Sequence, residues 1–531
     1  MNFNLLLNKA DQAIKDKKYL KSLELYEQAF KINQSSFEAC LKIALLKFQL
    51  KDFNSSIIYF EKLKSINPNS LISYTNLGSI YLQLNNKDLA FKNLLKGLEI
   101  DPNNFSIKYN LANLYFSNND LINAEKYFLE SVKLQPKHFY PYNNLFQLYD
   151  RSNDLKKLEK LIFKIISVFG ETDLVNFLTG IYEFRRKNYN KVIEILKNVN
   201  IDSKDFQRSI LKQNILGKCY DFIGSYQEAF NCFSKSNKLI QDSSQNQFDK
   251  NKYINLIQKR LETVSKISVK KLSIEIKDEY EDPVFLIGFP RSGTTMLDNI
   301  LSTSNSLEII EEKPLVDEII FELNKTLKGN LSKLNEVDND KINLLRSLYF
   351  KKRNSLVHFN SKITYVDKLP LNIIHVAELS KIFPKAKFIF VLRNPFDAVL
   401  SCFMQPFLPN DAMSNFYDLK SSSELYNLVM TLWLEYQKII NLNVHTVKYE
   451  DIVNDFDYTL KQLTSFLNIA WSDNFKNFYI NEKNKKIINT PSYNQVNLPI
   501  YAKSINRWKN YQNYFLDNRL LLEKWVKIFG Y

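Results

Sequence analysis

The chain has 531 residues, 45% of them hydrophobic and 24% charged, a folded composition too long for one ordinary core, which excludes a disordered protein. A net charge of +15 raises nucleic-acid binding, but Lys is spread over the whole chain without a dense basic block, and nucleic acid is set aside as a partner. The abundance of Lys, Asn and Ile beside scarce Gly and Pro instead fits the codon bias of an AT-rich genome. No run of about 18 uncharged apolar residues appears, so no membrane span is expected. Met1 to Asp16 reads as a charged amphipathic helix, not as a leader. The cysteines, Cys40, Cys219, Cys232 and Cys402, lack metal-like or disulfide-framework spacing, which points to a reducing, cytoplasmic setting.

From the first residue the pattern is repetitive. Pro68, Pro102 and Pro136 stand 34 residues apart, each after a segment such as Ile66-Asn67 or Ile100-Asp101. Small residues recur in the same register at Ala10, Ala44, Gly78 and Ala112, and a second small series, Ser22, Ser56, Ala90 and Ala124, follows each by twelve. Larger residues keep step at Tyr26, Phe60, Leu94 and Phe128. Small side chains let antiparallel helices approach, large ones fill between successive pairs, and the proline stops the second helix. Looser copies, Gly180-Val192-Leu196 and Gly217-Ala229-Phe233, carry the pattern to about residue 240. This helix-turn-helix unit resembles the tetratricopeptide repeat, which implies an all-α solenoid over 1–240 that takes a peptide or protein on its concave face or serves assembly.

Residues 241–280 read as a linker helix ending in a basic stretch, and 281–531 as a second, α/β domain with a parallel central sheet. Pro283-Val284-Phe285-Leu286-Ile287 is a continuous apolar run, as expected of a buried parallel strand. It leads into Gly288-Phe289-Pro290-Arg291-Ser292-Gly293-Thr294-Thr295 and then a helical stretch. Strand, Gly-flanked turn and helix N-terminus together bring backbone N–H groups onto an anion. The spacing is P-loop-like, but Thr294 stands where a nucleotide hydrolase has its lysine. A second apolar strand, Lys387 to Leu392, ends at Arg393, whose forked donors suit a phosphate, with Ser401 about two helical turns further on. Gln405 to Ser423 reads as an irregular insertion. On residues alone, a nucleotide-dependent kinase or NTPase and a catalytically silent repeat adaptor stay open.

The loop P-R-S-G-T-T is similar to the 5′-phosphosulfate loop of sulfotransferases, and most of 283–510 resembles tyrosylprotein sulfotransferases and their bacterial repeat-containing relatives. The resemblance implies PAPS (3′-phosphoadenosine 5′-phosphosulfate) as co-substrate, no metal, and in-line sulfuryl transfer to a hydroxyl-bearing acceptor. It places Arg291, Ser292, Gly293, Thr294 and Thr295 on the 5′-phosphosulfate and Arg393 with Ser401 on the 3′-phosphate. The acidic pair Glu311-Glu312 supplies Glu312 as catalytic base, and Tyr365-Val366-Asp367-Lys368 supplies Lys368 as catalytic lysine, with Arg291 sharing the charge stabilisation. Val447-Lys448-Tyr449-Glu450-Asp451 puts Tyr449 near the adenosine. Ser492, in Ser492-Tyr493-Asn494-Gln495-Val496, belongs to a loop closing over the cofactor, and Arg507 is a late basic residue for the phosphates. Two departures stand out: Gln405 replaces a second arginine twelve residues after Arg393, and Lys313-Pro314-Leu315 replaces the basic residues that select acidic peptides. The acceptor, whether protein tyrosine, carbohydrate or small molecule, is left open. His375 and His445 fit core or surface roles better than catalysis.

Overall fold

In the computed structural model, residues 2–244, 247–267, 275–478 and 504–531 are described. The chain forms two compact units, Met1–Tyr182 and Glu183–Tyr531.

The first unit is a run of antiparallel helix pairs. It begins with α1 (Phe3–Lys15) on α2 (Tyr19–Ile32), then α3 (Phe37–Gln49) on α4 (Phe53–Ile66) and α5 (Leu71–Gln83) on α6 (Lys87–Ile100). It continues with α7 (Phe105–Ser117) on α8 (Leu121–Leu134) and α9 (Phe139–Arg151) on α10 (Leu155–Phe169), and ends at Tyr182 within α11 (Asp173–Arg185). The small-residue series is the seam of each pair. Ser22 Oγ donates to the Ala10 carbonyl at 2.9 Å and Ser56 Oγ to the Ala44 carbonyl at 2.8 Å, satisfying a buried hydroxyl across the helix contact. At Gly78 a Cβ would lie 2.4 Å from Leu94 Cδ2, so only glycine allows that approach. Tyr26, Phe60, Leu94 and Phe128 are fully buried, as filler positions must be. The prolines do more than stop helices, because the Pro68 and Pro136 carbonyls each accept a hydroxyl, from Tyr74 and Tyr142, at 3.1 Å.

A further period lies in the turns. Lys17, Lys51, Asn85, Asn119, Asn153 and Lys187 all adopt left-handed backbone, φ between +55° and +65°, at successive intervals of 34 residues. Asn tolerates this region, and Lys does so less readily. Aspartate or asparagine often follows at the N-cap of the second helix, as with Asp52, Asn86, Asp120 and Asp154, each accepting a backbone N–H.

The second unit opens with α12 (Tyr189–Asn198), the long pair α13 (Phe206–Phe222) and α14 (Tyr226–Ser243), and α15 (Lys250–Val264). The helix expected as a linker is α15, and it is a core element. Arg260 is buried, pairs with buried Glu378 at 2.7 Å and donates to the Ile374 carbonyl at 3.1 Å. The strands are β1 (Val284–Gly288), β2 (Leu307–Glu311), β3 (Thr364–Lys368), β4 (Lys387–Leu392) and β5 (Asn443–Lys448). They form one parallel sheet in the order β2-β3-β1-β4-β5. β1 is buried at every residue because it is central and helices cover both faces. At its end Gly288 faces Val391, where a Cβ would come 2.5 Å from the Val391 carbonyl oxygen.

The helices around the sheet, by the same convention, are α16 (Thr294–Leu301), α17 (Leu315–Leu327), α18 (Asn339–Leu356), α19 (Val376–Ile382), α20 (Pro395–Phe403), α21 (Leu419–Ile439), α22 (Tyr449–Asn454), α23 (Phe456–Leu467) and α24 (Arg519–Phe529). The segment read as irregular up to Ser423 turns helical sooner. Asp418 accepts the Ser421 N–H at 2.6 Å and starts α21 at Leu419, with Ser422 and Ser423 buried. No helix among the described residues is long and apolar enough to cross a membrane.

Candidate active site

A parallel sheet delivers all its carboxyl ends to one edge, and the β1/β3/β4 arrangement reverses strand order there, where ligands of open α/β sheets bind. Each strand end carries a residue singled out by the sequence. Arg291 follows β1, Glu312 follows β2, Lys368 ends β3, Arg393 follows β4 and Tyr449 follows β5.

On one side stands a buried lysine among carboxylates. Lys368 is fully buried, and its Nζ lies 2.9 Å from Glu312 Oε1, 3.1 Å from Glu311 Oε1 and 3.1 Å from Asp298 Oδ2. Burial alone would lower its pKa, but Asp298, Glu312 and Glu311 together outweigh burial and hold the ammonium well above its ordinary value. Asp298 and Lys368 are enclosed, whereas the Glu312 side chain remains 45% exposed and is the group a solute can reach. Glu312 is set by an unusual backbone, φ +47°, while its N–H donates to the Lys368 carbonyl at 2.8 Å. A non-glycine residue in that region costs about 1–3 kcal/mol and persists where surroundings enforce it. Asp298, absent from the sequence reading, was signalled by a lone carboxylate one turn into the apolar helix behind the loop.

On the other side the loop and β4 build a cationic pocket. Arg291, also left-handed at φ +66°, donates from Nε to Ser401 Oγ at 3.1 Å. Arg393 is buried and donates to the Arg291 carbonyl at 3.0 Å and the Ser504 carbonyl at 2.6 Å, while its Nε has no partner among the described residues. Its guanidinium lies 5.0 Å from the centre of the Tyr449 ring, a cation–π contact. That ring closes over Gly293, where φ is +100° and a Cβ would stand 2.7 Å from Tyr449 Cδ2, so glycine alone fits. Gly293 is the N-cap of α16 and brings no side chain to cap the helix, whose first turn holds Thr294, buried, and Thr295, partly exposed. Ser292 is buried within the turn.

The C-terminal segment is tied to this pocket by Asp397. Its two oxygens accept the N–H groups of Asn506 and Trp508 at 2.7 and 2.8 Å, and burial raises its pKa against the pull of Arg393 and those N–H groups. Arg507, between them, points its fork at Asp221 of α13, with Nε at 3.2 Å and Nη2 at 2.6 Å, and Tyr511 donates to the same carboxylate at 2.6 Å. The structure therefore gives Arg507 a carboxylate partner, where the resemblance expected a phosphate. Ser492 lies outside the described residues. His375 is half-buried against Arg260, its Nδ1 3.0 Å from Nη2, and His445 stacks on Phe466 with ring centres 5.3 Å apart.

Residues 283–473 match the model of the Sulfotransferase family, and residues 37–70, 71–104 and 105–138 each match that of the Tetratricopeptide repeat. An uncharacterized protein of Aquifex aeolicus is 25% identical over 321 residues, covering 59% of this chain and 41% of its own length, so the chain spans about two-fifths of that relative. Among solved structures, a tetratricopeptide repeat protein from Parabacteroides merdae aligns at 17% identity over 41% of this chain and 84% of its own, with a TM-score of 0.33. MamA from Desulfovibrio magneticus RS-1 aligns at 17% identity over 31% and 94%, with a TM-score of 0.30.

Proposed function

With a sulfotransferase-family domain and tetratricopeptide repeats joined in one chain as the premise, we propose that the protein moves a sulfuryl group from PAPS to an acceptor hydroxyl. The observation that carries this is the division of the strand-end cleft into two chemistries. One half is the buried guanidinium of Arg393 with an unused donor, next to a glycine turn roofed by Tyr449. The other is an accessible carboxylate, Glu312, 2.9 Å from a buried ammonium. The first half suits a nucleotide bearing phosphates, and the second suits proton removal from a hydroxyl.

PAPS supplies the activated sulfuryl group. Arg291, Ser401 and Arg393 hold its phosphates, and the first turn of α16 adds backbone N–H groups. Glu312 takes the acceptor's proton as the oxygen attacks, a role worth about 10²–10⁴-fold in rate. Once Glu312 is protonated, Lys368 has lost one of its three carboxylates, and its ammonium becomes a stronger donor for charge building on the transferred group. Such a fixed cation needs no rearrangement at the moment of reaction. The acceptor is a hydroxyl compound such as a protein tyrosine, a carbohydrate or a small metabolite, and the repeat array acts in its recognition or in assembly. The reading places the protein in the cytoplasm.

Calorimetric titration with PAP, the desulfated 3′,5′-bisphosphate, against ATP with and without magnesium tests the reading. PAP should bind without metal and lose affinity on Arg393→Ala. Binding of magnesium–ATP alone would replace sulfuryl transfer with phosphoryl transfer.

A further inference from the structure

Helix α13 belongs to the repeat pattern and lies outside the segment that matches the sulfotransferase family, yet one of its faces is built into the same compact unit as the sheet. Asn214 donates to the carbonyl of Met404, the residue that ends α20, at 3.0 Å. Asp221 grips Arg507. Lys218 lies four residues after the first and three before the second, which sets all three side chains on one helix face. That face runs from the end of α20, where Ser401 holds Arg291, to the C-terminal segment that Asp397 anchors.

Lys218 is only partly exposed, and the charged side chains that act on it are Arg291 and Arg507, both cations. Burial first, then Arg291 and Arg507, push its ammonium down to about 8, with only the Cys219 thiol acting the other way. Arg507 has Asp221 as counter-ion, but no carboxylate pairs with Lys218 among the described residues. A half-buried ammonium that feels two guanidiniums and has no carboxylate partner among the described residues is costly in the free protein, and an anion relieves the cost.

We propose that Lys218 is a phosphate-binding residue of the nucleotide site, contributed by the repeat helix α13 to the anion pocket of Arg291, Ser401 and Arg393. The ligand class is a nucleoside bisphosphate such as PAP, so the proposal rests on the sulfotransferase reading. It makes the last repeat pair part of the cofactor site and not only a platform for partners.

Calorimetry with PAP on the full chain tests it. Lys218→Gln should weaken PAP binding tenfold or more, and Lys218→Arg should stay within about threefold of the parent. Lys218→Met keeps the apolar stem, and with a thermal melt of each variant it decides the matter if the glutamine form folds poorly. Equal PAP affinity in the parent and in a folded Lys218→Gln or Lys218→Met overturns the role of Lys218 and leaves the sulfotransferase reading standing. A parent that takes up no PAP overturns both.

Discussion

The early helix pairs and the pair α13–α14 share one packing rule and put it to different ends. In both, a small residue on the first helix receives a large one sixteen positions later, Gly78 with Leu94 and Gly217 with Phe233. In the early pairs hydroxyls such as Ser22 and Ser56 bond within the pair. In α13 and α14, polar residues reach outward to the sheet domain. Asn214 holds the Met404 carbonyl, Asn237 the carbonyls of Phe403 and Tyr417, and Asp221 both Arg507 and Tyr511. Phe230 stacks on Tyr514 with ring centres 3.7 Å apart. The repeat period therefore governs how a pair is held together and says nothing about what its outer face meets.

That contrast can be broken most forcefully at Asp221. Asp221→Ala leaves the Arg507 guanidinium and the Tyr511 hydroxyl without their shared acceptor, and should cost about 3 kcal/mol by thermal or denaturant unfolding. Hydrogen exchange should rise in α13 and in the 507–518 segment while α1–α8 stay as protected as before. A uniform rise would mean that the two regions unfold as one.

The glycine pair sharpens the contrast at equal chemistry. Gly78→Ala and Gly217→Ala each drive a methyl into a neighbour, 2.4 Å from Leu94 Cδ2 and 2.8 Å from the Phe233 ring, and overpacking of this kind costs about 1–3 kcal/mol. Only Gly217→Ala should also weaken PAP binding in calorimetry, because it shifts the helix that carries Lys218. Equal losses of PAP affinity in both would show that the array acts on the site as a whole.

The last effect is a slope against pH. Lys218 is held near 8 in the folded chain by burial, Arg291 and Arg507, and returns to about 10.4 when unfolded. Between those values the unfolded chain carries a proton that the native one lacks, so this residue makes stability rise with pH across the window. Unfolding curves of Lys218→Gln from pH 7.5 to 10 should lack that rise, and a parallel slope in both forms would contradict the assignment.

Much of this molecule is legible in its sequence because the signals are local and repeated. The seam residues recur at fixed offsets, and the strand-turn-helix around Arg291 is contiguous, so both can be read without knowing the tertiary contacts. The end of β4 is legible for the same reason, since Arg393 follows an apolar run, whereas Lys368, after Tyr365-Val366-Asp367, is picked out only by the family resemblance. What the sequence hides is long-range pairing. Nothing local marks Asp221 as the partner of Arg507, nearly three hundred residues away, and the lone carboxylate of Asp298 stands out in its helix without naming Lys368 as its partner. The core role of α15 was equally hidden, because Arg260 in a polar helix reads as solvated until Glu378 is found beside it. The left-handed turns at Lys17, Lys51 and Lys187 escaped because lysine is not the residue that chemistry predicts there.

The polar outward face of α13 also limits where the solenoid can grow. A module inserted among the early pairs needs only a seam of small and large residues, which any copy of the 34-residue unit provides. A module inserted behind α12 would have to reproduce Asn214 and Asp221 in register, or displace the helix that bears them. Gene duplication can thus lengthen the array among its early pairs, while α13 and α14 are held in place by the sheet-domain residues they bond.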